Sequence, residues 1–213
     1  MKNINTLLYF ITDSTGMDEN DFLEKIESAL KGGVTLLQLR EKEKTTREYI
    51  NLAKKVKKIT SQYNVPLIID DRLDVALASC ADGVHLGQMD MTVADARKIA
   101  GDGFIIGATA KTPSQAIIAY EEGADYLGVG AIFPTTTKVK TVITSVDTLK
   151  EICNNVPVPT NAIGGLNKDN INVLNGSGIS GICVVSAIMK SDNPELEAKK
   201  LKEKTIQLLG GVI

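Results

Sequence analysis

Three cations and three carboxylates hold most of the chemistry this sequence can offer. Arg40 and Lys42 stand two residues apart in Gln38-Leu39-Arg40-Glu41-Lys42, and Lys138 closes the run Gly128-Val129-Gly130-Ala131-Ile132-Phe133-Pro134-Thr135-Thr136-Thr137-Lys138. That run starts apolar, stops at a proline that has no N–H for a strand ladder, and continues with three hydroxyls and an ammonium. Several short donors beside a fixed positive charge are what a phosphate group requires. Gathered at one place, Arg40, Lys42 and Lys138 would repel one another unless a multiply charged anion sat among them; scattered, they are ordinary solvated cations. The carboxylates are Asp70 and Asp71, in Asp-Asp-Arg, and Asp90. Asp71 and Asp90 suit Mg²⁺, which takes one or two protein carboxylates and completes its shell with water and substrate phosphate. Both read equally well as N-caps of the helices expected just after them.

Which alternative holds depends on the elements that carry these residues. Short apolar runs at 7–11, 35–39, 66–70, 83–86, 104–108, 126–133, 158–163 and 181–186 have the length and composition of strands. Helical periodicity falls between and after them, at 20–31, 46–62, 72–79, 92–99, 113–122, 146–153, 168–175 and 194–208. Eight strand–helix units make either an open doubly wound sheet or a closed (β/α)8 barrel. No Gly-x-Gly-x-x-Gly turn follows the first strand, and the count is eight, so the expected fold is an α/β (β/α)8 barrel. At 213 residues the chain is near the lower limit for a barrel, and no proline- or serine-rich linker divides it. One domain over 1–213 is expected.

A barrel of this kind builds its active site where the C-terminal ends of the strands converge. The reactive residues follow the strands rather than precede them. Gln38, Arg40 and Lys42 alternate to one side after the second strand, and Asp70 and Asp71 end the third. His85, Gln88 and Asp90 follow the fourth, and Thr109 and Lys111 the fifth. Thr135, Thr137 and Lys138 follow the sixth, Gly164-Gly165 the seventh, and Val185-Ser186 the eighth. Phosphate is often held after strands seven and eight on backbone N–H groups; a plain glycine turn is the alternative there. His85, the only histidine, sits between Val84 and Leu86 and reads as a core or supporting imidazole rather than a general base. No Ser-His-Asp or Cys-His set assembles around it. Two anion positions, one metal site and no nucleophile describe transfer of a group from a diphosphate, catalysed by charge stabilisation.

Composition narrows the partners. With 24 basic and 26 acidic residues the net charge is −2, which lacks the basic footprint of a nucleic-acid or membrane-surface protein. No apolar segment reaches the length of a membrane span, no signal-peptide pattern precedes the first strand, and three scattered cysteines suit a reducing, cytoplasmic setting. Small-molecule substrates are therefore expected. Barrel helices often pair through their exposed faces, and a homo-oligomer is compatible with this sequence.

Taken together, QLREK (38–42), DR (71–72), HLGQMD (85–90), IGATAKT (106–112), LGVGAIFPTTTK (127–138), AIGGL (162–166) and VVSAI (184–188) resemble the thiamine-phosphate synthase family over nearly the whole chain. The resemblance implies a barrel that joins a pyrimidine methyl diphosphate to a thiazole phosphate and releases pyrophosphate by a dissociative, Mg²⁺-dependent mechanism. It implies that the segment Gln38, Leu39, Arg40, Glu41 and Lys42, together with Asp70, Thr109 and Lys138, meets the pyrimidine diphosphate. Arg40, Lys42 and Lys138 would assist departure of the leaving group, with Asp71 and Asp90 on the metal. Thr135, Thr136, Thr137, Gly165, Val185 and Ser186 would hold the thiazole phosphate. The family usually has asparagine where Asp70 stands, serine at Thr109 and histidine at Lys111. Two other readings fit a barrel of this kind: a thiazole tautomerase, which needs no diphosphate substrate, and an idle barrel that senses a thiazole or thiamine phosphate.

Overall fold

The computed structural model describes residues 4–135 and 142–210. Its strands are Leu8–Ile11 (β1), Leu36–Leu39 (β2), Leu67–Asp70 (β3), Gly83–Leu86 (β4), Ile105–Ala110 (β5), Tyr126–Gly130 (β6), Thr160–Ile163 (β7) and Gly181–Val184 (β8). All pairings are parallel and run in sequence order, with Tyr9 opposite Leu36 at one end of the series and Leu8 opposite Ile182 where β1 meets β8. The sheet is a closed eight-stranded barrel. Around it lie Glu19–Lys31 (α1), Thr46–Gln62 (α2), Leu73–Ala78 (α3), Val93–Ala100 (α4), Pro113–Glu121 (α5), Val146–Asn155 (α6), Ser186–Met189 (α7) and Pro194–Leu208 (α8).

Local chemistry starts these helices where the sequence suggests. Asp18 caps α1 by accepting from the Asn20 N–H, and Thr45 and Glu48 form a reciprocal capping box at α2. Tyr49, Leu52, Ala53 and Val56 then recur on one face of α2 and are buried against the barrel. Gly33 and Gly123, with φ near +97° and +99°, turn the chain from helix to strand in a left-handed conformation that side chains disfavour.

Alternation along each strand separates two cores. Leu8, Phe10, Leu37, Leu39, Leu67 and Ile69 point outward into the layer beneath the helices. Tyr9, Ile11, Leu36, Ile68, Tyr126 and Cys183 point inward and form a smaller cluster in the barrel lumen. Two expected elements come out shorter by three residues or more. The 168–175 pattern yields only a 3₁₀ turn, Ile171–Leu174. Asn167 and Asn170 offer the backbone competing side-chain bonds there: Asn170 Oδ1 accepts from Asn167 N at 2.9 Å, and Asn167 Oδ1 from Asp169 N at 2.8 Å. The sixth strand ends at Gly130 rather than 133, although Ile132 N still donates to Ile163 O at 2.9 Å.

Candidate active site

Five of the expected residues, Arg40, Lys42, Asp70, Asp71 and Asp90, meet at the C-terminal rim of β2, β3 and β4. Register puts Gln38 beside Ile68 and Asp70 beside His85, so the segments after these strands emerge side by side. The Arg40 N–H donates to Thr12 Oγ1 at 3.2 Å, which ties the exit of β2 to that of β1. Asp71 takes a left-handed backbone, φ 60°, and its N–H donates to the His85 carbonyl at 2.9 Å. That bond pins the exit of β3 to β4 and turns the Asp71 side chain across the rim.

An ion-pair cluster results. Lys42 Nζ lies 2.7 Å from Asp70 Oδ2 and also donates to Asp71 Oδ2, while Arg40 Nε is 3.7 Å from Asp70 Oδ2. Asp71 and Asp90 lie near enough for each to act on the other's carboxyl, and Asp90 Oδ2 accepts from the Gly87 N–H at 2.7 Å. Burial, and then the neighbouring Asp71 charge, push the Asp70 carboxyl up from the ordinary range despite its cationic partners. Asp90 is likewise pushed up, chiefly by burial and then by Asp71, against the bond from Gly87. Burial raises Asp71 too, but the bond and charge of Lys42 outweigh it and the net shift is downward. Burial lowers Lys42, and Asp70 and Asp71 more than reverse that.

Neither Asp71 nor Asp90 caps a helix. The residue at the start of α3 is Arg72, without a side-chain cap bond, and Thr92 caps α4 by accepting from Asp95 N. Two hard carboxylates placed in contact without a capping task fit a divalent cation, since adjacent like charges demand a proton or a cation between them. Among the described residues no cluster of three or more His, Cys, Asp or Glu is arranged to hold a metal.

The remaining expected residues divide. Leu39 is buried in the outer core, and its carbonyl accepts from Tyr49 Oη at 2.7 Å. Glu41 is largely buried; its Oε2 accepts from Ser14 Oγ at 2.8 Å, its Oε1 has no hydrogen-bond partner among the described residues, and burial raises its pKa. Gln38 turns into the lumen and donates to Tyr9 Oη at 2.6 Å. Thr109 Oγ1 lies 3.0 Å from His85 Nε2. Gly164 and Gly165 serve a close approach of backbone. A Cβ on Gly164 would lie 2.4 Å from that of Ala131, and one on Gly165 would lie 2.7 Å from that of Phe133. The two glycines thus carry the segment that leads to Thr135. Val185 and Ser186 open the four-residue helix α7 directly after β8. Thr136, Thr137 and Lys138 lie outside the described residues. Thr12, through the Arg40 N–H, and Ser14, through Glu41, also support the exit of β2, a task the sequence did not assign to either.

A profile of the family described as thiamine monophosphate synthase matches residues 8–188. The chain belongs to that family. Thiamine-phosphate synthase 2 of Streptococcus pneumoniae serotype 4 is 49% identical over 202 residues, covering 95% of this chain and 96% of the relative. Thiamine-phosphate synthase of Methanobrevibacter smithii is 48% identical and covers 94% and 96% respectively. A solved structure, thiamine phosphate pyrophosphorylase from Pyrococcus furiosus, superposes with a TM-score of 0.87 at 38% identity and covers 96% of this chain and 97% of that one. Asp70 shares Lys42 with Asp71.

Proposed function

We propose that the β2–β4 rim binds a pyrimidine methyl diphosphate, and that this chain transfers its pyrimidine methyl group to a thiazole phosphate. As a thiamine-phosphate synthase, the protein is a transferase of thiamine biosynthesis. The observation that carries the assignment of the site is the meeting of Arg40, Lys42, Asp70, Asp71 and Asp90 on one rim of the closed barrel.

The reaction breaks the methylene C–O bond, with the electron pair leaving on pyrophosphate. The lone pair of the thiazole nitrogen then forms the new C–N bond. Arg40 and Lys42, joined by Lys138, supply positive charge where negative charge accumulates on the departing oxygens. The aminopyrimidine ring donates electron density to the cationic methylene, so no protein nucleophile is needed. Asp71 and Asp90 would hold Mg²⁺, which when bound neutralises diphosphate charge. Thr135 through Thr137, Gly165, Val185 and Ser186 hold the thiazole phosphate, and fixing two substrates face to face supplies much of the remaining acceleration.

Purified protein given Mg²⁺ and both substrates should release pyrophosphate and form thiamine phosphate in equal amounts. A folded protein that turns over neither substrate would reject this activity.

A further inference from the structure

Four hydrogen bonds cross the barrel lumen in one unbroken line. Gln38 Nε2 donates to Tyr9 Oη at 2.6 Å, and Tyr9 Oη lies 2.7 Å from Tyr126 Oη. Tyr126 Oη lies 3.2 Å from His85 Nδ1, and His85 Nε2 lies 3.0 Å from Thr109 Oγ1. Strands β2, β1, β6, β4 and β5 each contribute one residue. Tyr9 and Tyr126 are fully buried, and burial holds both phenols far above their ordinary pKa, so each keeps one hydrogen to donate. Gln38 is buried as well, at 2% exposure. The rings are packed for the purpose. Tyr9 and Tyr126 meet edge to face at 5.5 Å, and Gly107 leaves the space in which Tyr126 lies, since a Cβ there would come within 2.1 Å of Tyr126 Cζ.

Counting hydrogens gives the line a direction. The Tyr9 oxygen accepts from Gln38, so its own hydrogen goes to Tyr126, because a buried O–H left without an acceptor costs about 1–3 kcal/mol. The hydrogen of Tyr126 then goes to His85 Nδ1 for the same reason. With Nδ1 an acceptor, the ring carries its hydrogen on Nε2 and donates to Thr109. Thr109 accepts with its hydroxyl oxygen and keeps its own hydrogen for an acceptor at the rim.

We propose that Tyr9 and Tyr126 are positioning residues for the transfer reaction: their hydroxyls form a one-way hydrogen-bond line that fixes the Gln38 amide, sets His85 in its Nε2–H tautomer, and leaves Thr109 as a donor to an anionic oxygen. The role given to Thr109 rests on the rim being a diphosphate site; the tautomer of His85 does not. A fixed donor costs no reorganisation when charge develops on the leaving group.

The chain has a single histidine, so one ring system appears in a long-range ¹H–¹⁵N spectrum of the untagged, ligand-free protein. Near pH 7 that spectrum should show the Nε2–H tautomer. A hydrogen on Nδ1, alone or in an imidazolium, overturns the proposal and does so whether or not the protein turns over. Tyr126→Phe should lose the single-tautomer pattern and lower kcat about ten- to a hundredfold, with KM changed less than about threefold. Tyr9→Phe should keep the Nε2–H tautomer, because Tyr126 still donates to His85, while kcat falls through the released Gln38 amide. An unchanged ring pattern or unchanged kcat in Tyr126→Phe overturns the proposal even if that variant melts lower. Should the phenylalanine variants fail to fold, the wild-type spectrum decides alone. Failure of the wild-type turnover assay with an Nε2–H spectrum would discard the activity and the Thr109 role and leave the line itself intact.

Discussion

The rim and the lumen of this barrel are both polar, and they are built on opposite principles. At the rim, Arg40, Lys42, Asp70, Asp71 and Asp90 bring full charges together, with Lys42 bridging Asp70 and Asp71. In the lumen, Gln38, Tyr9, Tyr126, His85 and Thr109 bring neutral dipoles together, each hydrogen assigned to one acceptor. Charges at the rim can exchange partners when a diphosphate or a divalent cation arrives, at modest cost because Lys42 is 43% exposed. Dipoles in the lumen cannot, because breaking a bond of Gln38, Tyr9 or Tyr126 leaves a buried polar atom unpaired. The division assigns binding and charge neutralisation to the rim and orientation to the lumen. A substitution at the rim should therefore change kinetics with little effect on folding, and one in the lumen should change both.

The largest test of that division is Asp90→Ala. Its carboxyl contacts Asp71 and the Gly87 N–H and caps no helix, so little of the fold depends on it. Loss of a proposed metal ligand should lower kcat about 10²–10³-fold at limiting Mg²⁺, comparable to removing one preorganised charge stabiliser, and leave the melting temperature nearly unchanged. Steady-state kinetics across a Mg²⁺ titration check this. Unchanged kinetics at limiting Mg²⁺ would remove Asp90 from the metal site, and a large drop in melting temperature would erase the distinction between the two regions.

Gly107→Ala probes the lumen from the opposite side. The added methyl would stand 2.1 Å from Tyr126 Cζ, so the ring must move and the β5–β6 contact must deform. Overpacking of this kind costs about 1–3 kcal/mol, and displacement of Tyr126 should also lower kcat. Denaturant unfolding and kinetics on the same preparation test it. Wild-type stability would show that the lumen can repack, which the hydrogen-bond line does not allow.

The same contrast explains what was legible in the sequence. The rim could be read because its residues are charged and fall at strand ends: Arg40, Lys42, Asp71 and Asp90 stand out against apolar runs. The barrel could be read from eight such runs and the glycines between them. The lumen could not. Tyr9 lies in LLYFI and Tyr126 opens YLGVGAIF, both apolar throughout, because strands buried on both faces lose the alternation that would show which side chains point inward. Closure of the barrel, with β1 beside both β2 and β8, is what brings Tyr9 to Tyr126, 117 residues away. Gly164 and Gly165 read as a phosphate cradle or a plain turn, and only the fold shows the 131–134 segment packed against them. The capping alternative for Asp71 and Asp90 likewise fell only when Arg72 and Thr92 proved to start the helices.

The smallest expected effect belongs to Asp70→Asn, which stands where the two regions meet: its strand neighbour is His85, and its carboxylate holds Lys42 and Arg40. Removing one negative charge beside two cations proposed to serve a diphosphate should lower KM for that substrate about three- to tenfold. Stability should move in a direction set by protonation. The Asp70 carboxyl is raised in the folded protein, mainly by burial, above the value of about 3.9 it has when unfolded. Between those two values the folded state binds more protons, so stability falls as pH rises through the window, and the full penalty is present above it. Asparagine carries no such penalty. The variant should therefore melt higher than wild type at pH 7, by about 2–4 °C if roughly 1 kcal/mol is relieved, and the gap should close as pH falls below about 4. Thermal melts of both proteins across that range measure it. A variant that melts lower at pH 7 would mean that the ion pairs of Asp70 outweigh its burial, and the rim would then be holding the barrel together as well as binding substrate.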